Sequence, residues 1–117
     1  MKIIKIKDDI FKTETLFILD CSPEEANCYL KKIGNKDFID EHDENIDGEL
    51  IKDSRYNVER IIWVRSFSRT RPSILIHEIF HLVIRICTDK GIPVSSDGDE
   101  TGAYLMEFYV RKILKEL

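Results

Sequence analysis

The chain opens on alternation. In "KIIKIK", residues 2 to 7, lysines and isoleucines take turns, which predicts a strand with one wet face. "TETLFILDC", residues 13 to 21, has an apolar core of strand length and predicts a second strand. "SPEEANCYLKKIG" then carries the punctuation of a helix. Ser22 can cap it, Pro23 suits its first position, and Glu25 completes a capping box. Lys31 and Lys32 complement the negative C-terminal end, and Gly34 stops the helix. The pattern lapses over residues 35 to 58, an acidic stretch that reads as surface loop, with "GELIKD" able to form a short strand. β-Branched and aromatic residues return in "ERIIWVRSF", residues 59 to 67, which predicts a further strand. Pro72 opens a long helix that runs to about Lys90 and is closed by Gly91 and Pro93. "SSDGD" reads as a turn. "ETGAYLMEFYVRKILKEL" forms a last helix with Met106, Tyr109, Val110, Ile113 and Leu117 on one face. Strands and a helix, then a strand, then two helices predict a single α+β domain over residues 1–117, without repeats or a linker.

Composition narrows the partners. The 117 residues carry a net charge of −4, and an acidic balance argues against nucleic acid, whose phosphates need a surplus of Lys and Arg. The one basic cluster, Arg65, Arg69 and Arg71, reads as a solvated loop. No apolar run reaches the roughly 18 to 20 residues of a membrane span. The first residues lack an uninterrupted apolar segment, so neither a membrane anchor nor a signal peptide is expected, and the predicted location is cytoplasmic. Cys21, Cys28 and Cys87 are an odd set with no CxxC pair, which predicts free thiols in a reducing compartment. Asp43, Asn45, Asp47 and Gly48 are spaced like the first half of a calcium loop. The glutamate such a loop needs at its twelfth position is Ser54 here, so the segment reads as an acidic surface loop.

The chemistry concentrates in "SILIHEIFHLV", residues 73 to 83. On a helix, residues four apart share a face, so His77 and His81 can reach one metal ion together. Glu78, one residue on from His77, points about 100° away and lies beside such an ion. A general base must sit there to take a proton from a water that zinc has brought to a pKa of about 7. This is the HExxH logic of zinc peptidases. With 3 histidines in 117 residues, the spacing arises by chance in roughly 0.7% of such chains. The flanks "SILI" and "LVIRIC" make the helix apolar on nearly every side, which predicts a central, buried helix. Imidazoles and a carboxylate are costly there unless something satisfies them, and a metal does so.

A catalytic zinc usually takes three protein ligands. Glu100, at the start of the final helix, leads the candidates for the third, because a helix doubling back on the HExxH helix can bring its first turn near the metal. Gly102 and Ala103 permit close approach of the two helices. Asp97, Asp99 and His42 are the alternatives. Glu107 lies two turns beyond Glu100, about 10 Å away by the helical rise and too far to share the ion. It could instead accept a hydrogen bond from a ligand histidine and orient it.

HEIFH followed by "DETGAYLMEFYV" resembles the gluzincin arrangement, HExxH plus a glutamate on the next helix, and above all its minimal members, the minigluzincins. "ILIHEIFHLV" and "DETGAYLMEF" resemble small metallopeptidases encoded in phage and prophage genomes. The resemblance covers residues 59 to 117. It implies zinc held by His77, His81 and Glu100, with Glu78 as the base. It also implies a zincin-like fold, a small sheet packed on the active-site helix with one strand bordering the cleft. "RIIWVRS" is the natural candidate for that strand, and substrates commonly add to such an edge as an extended chain. Larger gluzincins place an aspartate four residues after the third ligand, where this chain has Tyr104. Tyr104 is then either core packing with a wet hydroxyl or a group that stabilises the oxyanion of the tetrahedral intermediate.

The expectation is a zinc-dependent hydrolase acting on peptide or protein substrates. Its rival is a non-catalytic, zinc-stabilised binding or assembly protein. The small size favours that rival, since little chain remains to build a second wall for a cleft.

Overall fold

The computed structural model describes residues 1–93 and 99–117. The turn expected at "SSDGD" lies outside them, apart from the backbone of its last residue. The elements run β1 (Lys2–Lys7), β2 (Glu14–Leu19), α1 (Pro23–Lys32), β3 (Gly48–Asp53), β4 (Val58–Val64), α2 (Ser73–Asp89) and α3 (Asp99–Glu116). The four strands form one sheet in the order β1-β2-β4-β3. β1 is antiparallel to β2, β2 is parallel to β4, and β3 runs antiparallel to β4 at the far edge. The α+β architecture expected from the order of elements is what the chain adopts.

Burial explains the sequence patterns. β2 and β4 are the inner strands, and both their faces are covered. Phe17, Leu19, Ile62 and Val64 join α2 and α3 in one core. Leu16, Ile18, Ile61 and Trp63 join α1 in a second core on the opposite face. A strand covered on both sides has no polar positions to alternate with, hence the unbroken runs "LFIL" and "IIWV". β1 is an edge strand, so Ile4 and Ile6 are buried while its three lysines stay exposed. Lysines on an edge discourage pairing with another chain.

α1 forms as its local signals dictate. The Ser22 side chain accepts from the Glu25 backbone N–H, and the Ser22 N–H donates to Glu25 Oε1, at 3.2 Å each. Gly34 (φ +85°) and Gly91 (φ +70°) follow the ends of α1 and α2 in the left-handed region, where a side chain would be strained. The segment between α1 and β3 is pinned by Asn27, which exchanges hydrogen bonds with the backbone of Ile39 at 2.7 and 2.8 Å.

α3 runs antiparallel to α2. Arg69, just before α2, donates to the Leu114 carbonyl near the end of α3, at 2.9 Å. At the other end Gly102 lies opposite Val83. The basic cluster is in part structural. Arg65 donates from its backbone to Asp47 at 2.8 Å and from its guanidinium to Ile46 at 3.0 Å. Cys21, Cys28 and Cys87 are free thiols, with Cys87 packed in the core. Among the described residues no helix is long and apolar enough to cross a membrane.

Two expectations are corrected. α2 is not buried all round: Ile76 and Phe80 are 36% and 50% exposed, and His77 and His81 are exposed as well. The sheet covers one side of the helix and α3 one flank, and the described chain builds no layer over the rest. "RIIWVRS" is likewise not the bordering strand. It forms the inner strand β4, and "GELIKD" supplies the edge as β3.

Candidate metal site

Facing that edge, α2 divides its side chains by helical position. Leu75, Ile79, Leu82, Val83 and Ile86 enter the core. His77 and His81, one turn apart, project from the exposed side. Their Nε2 atoms converge to 3.1 Å, and the rings meet nearly edge to face at 77°. Two nitrogens each about 2.0 to 2.1 Å from one tetrahedral zinc ion would lie roughly 3.3 Å apart. The observed spacing is close to that of two imidazoles sharing an ion. It also suits a neutral N–H donating to the other ring nitrogen, so the pair can hold a proton or a metal between its rings.

Glu78 has the opposite environment. It is 7% exposed, sandwiched between α2 and the β3 edge. Burial pushes its carboxyl above the ordinary glutamate range, while His77, His81 and the Leu50 backbone N–H each draw it back down. The site thus sets two exposed nitrogen donors beside a buried carboxylate.

Clefts open on both sides of Glu78. One, of about 470 Å³, lies between His77 and the loop that leads into β3, with Ile46, Asp47, Ser73 and Ile74 in its walls. The other, of about 250 Å³, runs past His81 along Leu50 to Glu59 and Arg85. Arg85 Nε is 3.0 Å from Glu59, an ion pair that ties α2 to β4 beyond the histidines. A larger cavity of about 530 Å³ lies beside α1 and is lined by Cys28, Phe38 and His42. α1 occupies the other face of the sheet, so that cavity is remote from the histidine pair, and so is His42.

The remaining expected residues are placed as follows. Glu100 stands exposed in the first turn of α3. Among the described residues no group of three or more His, Cys, Asp or Glu side chains gathers to hold a metal, so the structure brings together His77 and His81 without Glu100. Asp97 and the side chain of Asp99 lie outside the described residues. Tyr104 turns toward the opposite edge of the sheet, where its hydroxyl donates to Asp9 Oδ2 at 2.6 Å. It is 40% exposed, neither core nor directed at the histidines. Glu107 is exposed and pairs with Arg111, one turn along its own helix, at 3.7 Å. Both side chains are therefore engaged elsewhere than at the histidine pair. Ala103 is exposed, and only Gly102 faces α2.

Three contributors at the site went unread in the sequence: Gly48, the Leu50 backbone amide and the Glu59–Arg85 pair. The strand character of "GELIKD" was legible. Its position at the edge, against Glu78, depends on pairing with β4 and has no local signal.

No family model matches the chain, and no curated protein or solved structure matches it.

Proposed function

We propose that this chain is a zinc-dependent hydrolase of peptide bonds with a zincin-like arrangement of helix and edge strand. The observation that carries the proposal is the convergence of His77 Nε2 and His81 Nε2 to 3.1 Å beside the buried Glu78 carboxylate. The two imidazole nitrogens are donors that zinc binds readily, at a spacing close to that of two ligands of one ion. His77 and His81 would hold the ion, with Glu100 as the proposed third protein ligand. When bound, zinc supplies Lewis-acid polarisation of a water and of the scissile carbonyl. Glu78 takes the proton from the attacking water on its carboxylate and passes it to the departing amine. The clefts on either side of Glu78 give an extended peptide room to lie along β3, with Ile46 and Ile74 toward one end and the Glu59–Arg85 pair toward the other.

The experiment is Glu78→Gln, read in two assays. The variant should keep zinc at the wild-type stoichiometry and lose peptide hydrolysis. A wild-type protein that binds zinc yet cleaves nothing in a broad peptide library would favour the non-catalytic reading, a zinc-stabilised binding or assembly protein.

A further inference from the structure

β3 begins at Gly48, where its backbone lies close against α2. A Cβ placed on Gly48 would lie 2.8 Å from Ile74 Cγ2, 3.2 Å from Glu78 Cγ and 3.3 Å from the Trp63 carbonyl oxygen. The first distance is shorter than real Cβ contacts allow, and the other two leave no slack. The glycine has an ordinary negative-φ backbone, so its reason for being there is close approach rather than a turn.

Strand register shows what that approach accomplishes. The Arg65 N–H donates to the Asp47 carbonyl, and Gly48 faces Val64 while Leu50 faces Ile62. In an antiparallel ladder the pairs alternate between bonded and non-bonded. Asp47–Arg65 is bonded, so Gly48 and Leu50 fall at non-bonded positions, with their N–H and C=O groups turned out of the sheet. The Leu50 N–H on that free edge opens onto the cleft that Glu78 also lines. Gly48 thus leaves room for the stem of the buried Glu78 on the edge where the Leu50 amide turns outward.

We propose that Gly48 is a positioning residue, which by lacking a side chain lets the β3 edge seat the Glu78 carboxylate against the Leu50 amide and beside the histidine pair. Its effect on turnover rests on the reading of Glu78 as the general base. Its effect on the position of Glu78 does not. Any side chain at Gly48 pushes Ile74 and the stem of Glu78 away from β3. A displacement of about 1 Å at a reacting group can cost on the order of 100-fold in rate.

The test uses the isotopically labelled, zinc-supplied full chain and follows the Leu50 amide by NMR alongside steady-state kinetics. Glu78→Ala should move the Leu50 amide resonance and speed its hydrogen exchange by about tenfold or more, because its acceptor is gone. Gly48→Ala should shift the same resonance with Glu78 still present. It should lower kcat by about 100-fold while KM stays within about threefold and zinc content is unchanged. Should Gly48→Ala fold poorly, Gly48→Ala combined with Ile74→Ala removes the 2.8 Å clash and leaves the contact with Glu78. The double variant should regain thermal stability and keep the shifted amide and the low kcat. A Leu50 amide that ignores Glu78→Ala overturns the proposal, as does a Gly48 variant with wild-type amide and wild-type kcat. If the wild type hydrolyses no peptide, the proposed function fails, and the response of the Leu50 amide still decides whether Gly48 seats Glu78.

Discussion

His77 and Glu78 are adjacent in sequence and opposite in environment: the imidazole is exposed, while the carboxylate beside it is 7% exposed under the β3 edge. Helical geometry alone produces the separation, since successive residues turn by 100°. It puts an imidazole where a ligand can enter and a carboxylate where the chain shields it from solvent.

That division leads to the first expectation. Glu78→Gln preserves shape and removes the proton acceptor, so turnover should fall by at least about 100-fold, the usual contribution of a general base. Zinc stoichiometry should not change. Retained hydrolysis in the Gln variant would remove Glu78 from the chemistry.

Zinc should also stabilise the fold. A ligand at about 100 times its Kd adds about 2.7 kcal/mol to a protein that it binds only when folded. In a domain of this size that raises Tm on the order of 10 °C. Thermal scans with zinc and with chelator should show the difference, and His81→Ala should abolish it. An identical Tm in both conditions would mean that no folded-state zinc site exists.

Glu100 lies on the helix that packs antiparallel to α2, exposed in its first turn. If it completes the ligand set, Glu100→Ala should weaken zinc binding by more than about tenfold in competition with a chromogenic chelator. Affinity equal to wild type would leave the ion to the two histidines and another donor.

The one-sided packing of α2 makes a prediction about stability. Leu82 is 0% exposed and Phe80, two residues away, is 50% exposed. Leu82→Ala should cost about 2 to 5 kcal/mol, whereas Phe80→Ala should cost about 1 kcal/mol or less. Denaturant titration of both variants checks this. Equal losses would indicate a helix buried on all sides, as its apolar flanks first suggested.

Much of the fold could be read from the chain because its signals are local. Ser22, Pro23 and Glu25 lie within four residues and specify the start of α1 unaided. The alternation in "KIIKIK" marks a strand with one wet face, and the apolar runs "LFIL" and "IIWV" mark strands, though not that both their faces are covered. What could not be read depends on neighbours distant in sequence. β3 is the edge because β4 is its one neighbour in the sheet, and nothing within "GELIKD" distinguishes an edge from an inner strand. The exposure of α2 was missed for a related reason. Ile76 and Phe80 are apolar whether or not a layer covers them, and among the described residues none does. The histidine spacing was legible because it is helical. The destination of Tyr104 was not, since Asp9 meets it across 95 residues of chain.

The most direct measurement is the metal content of the untagged full chain, by elemental analysis after expression with zinc and exhaustive dialysis. The account predicts about one zinc per chain, falling to background in the His77→Ala, His81→Ala double variant. A wild-type chain that carries no metal above background, or a double variant that keeps it, would contradict the assignment of His77 and His81 as a metal site.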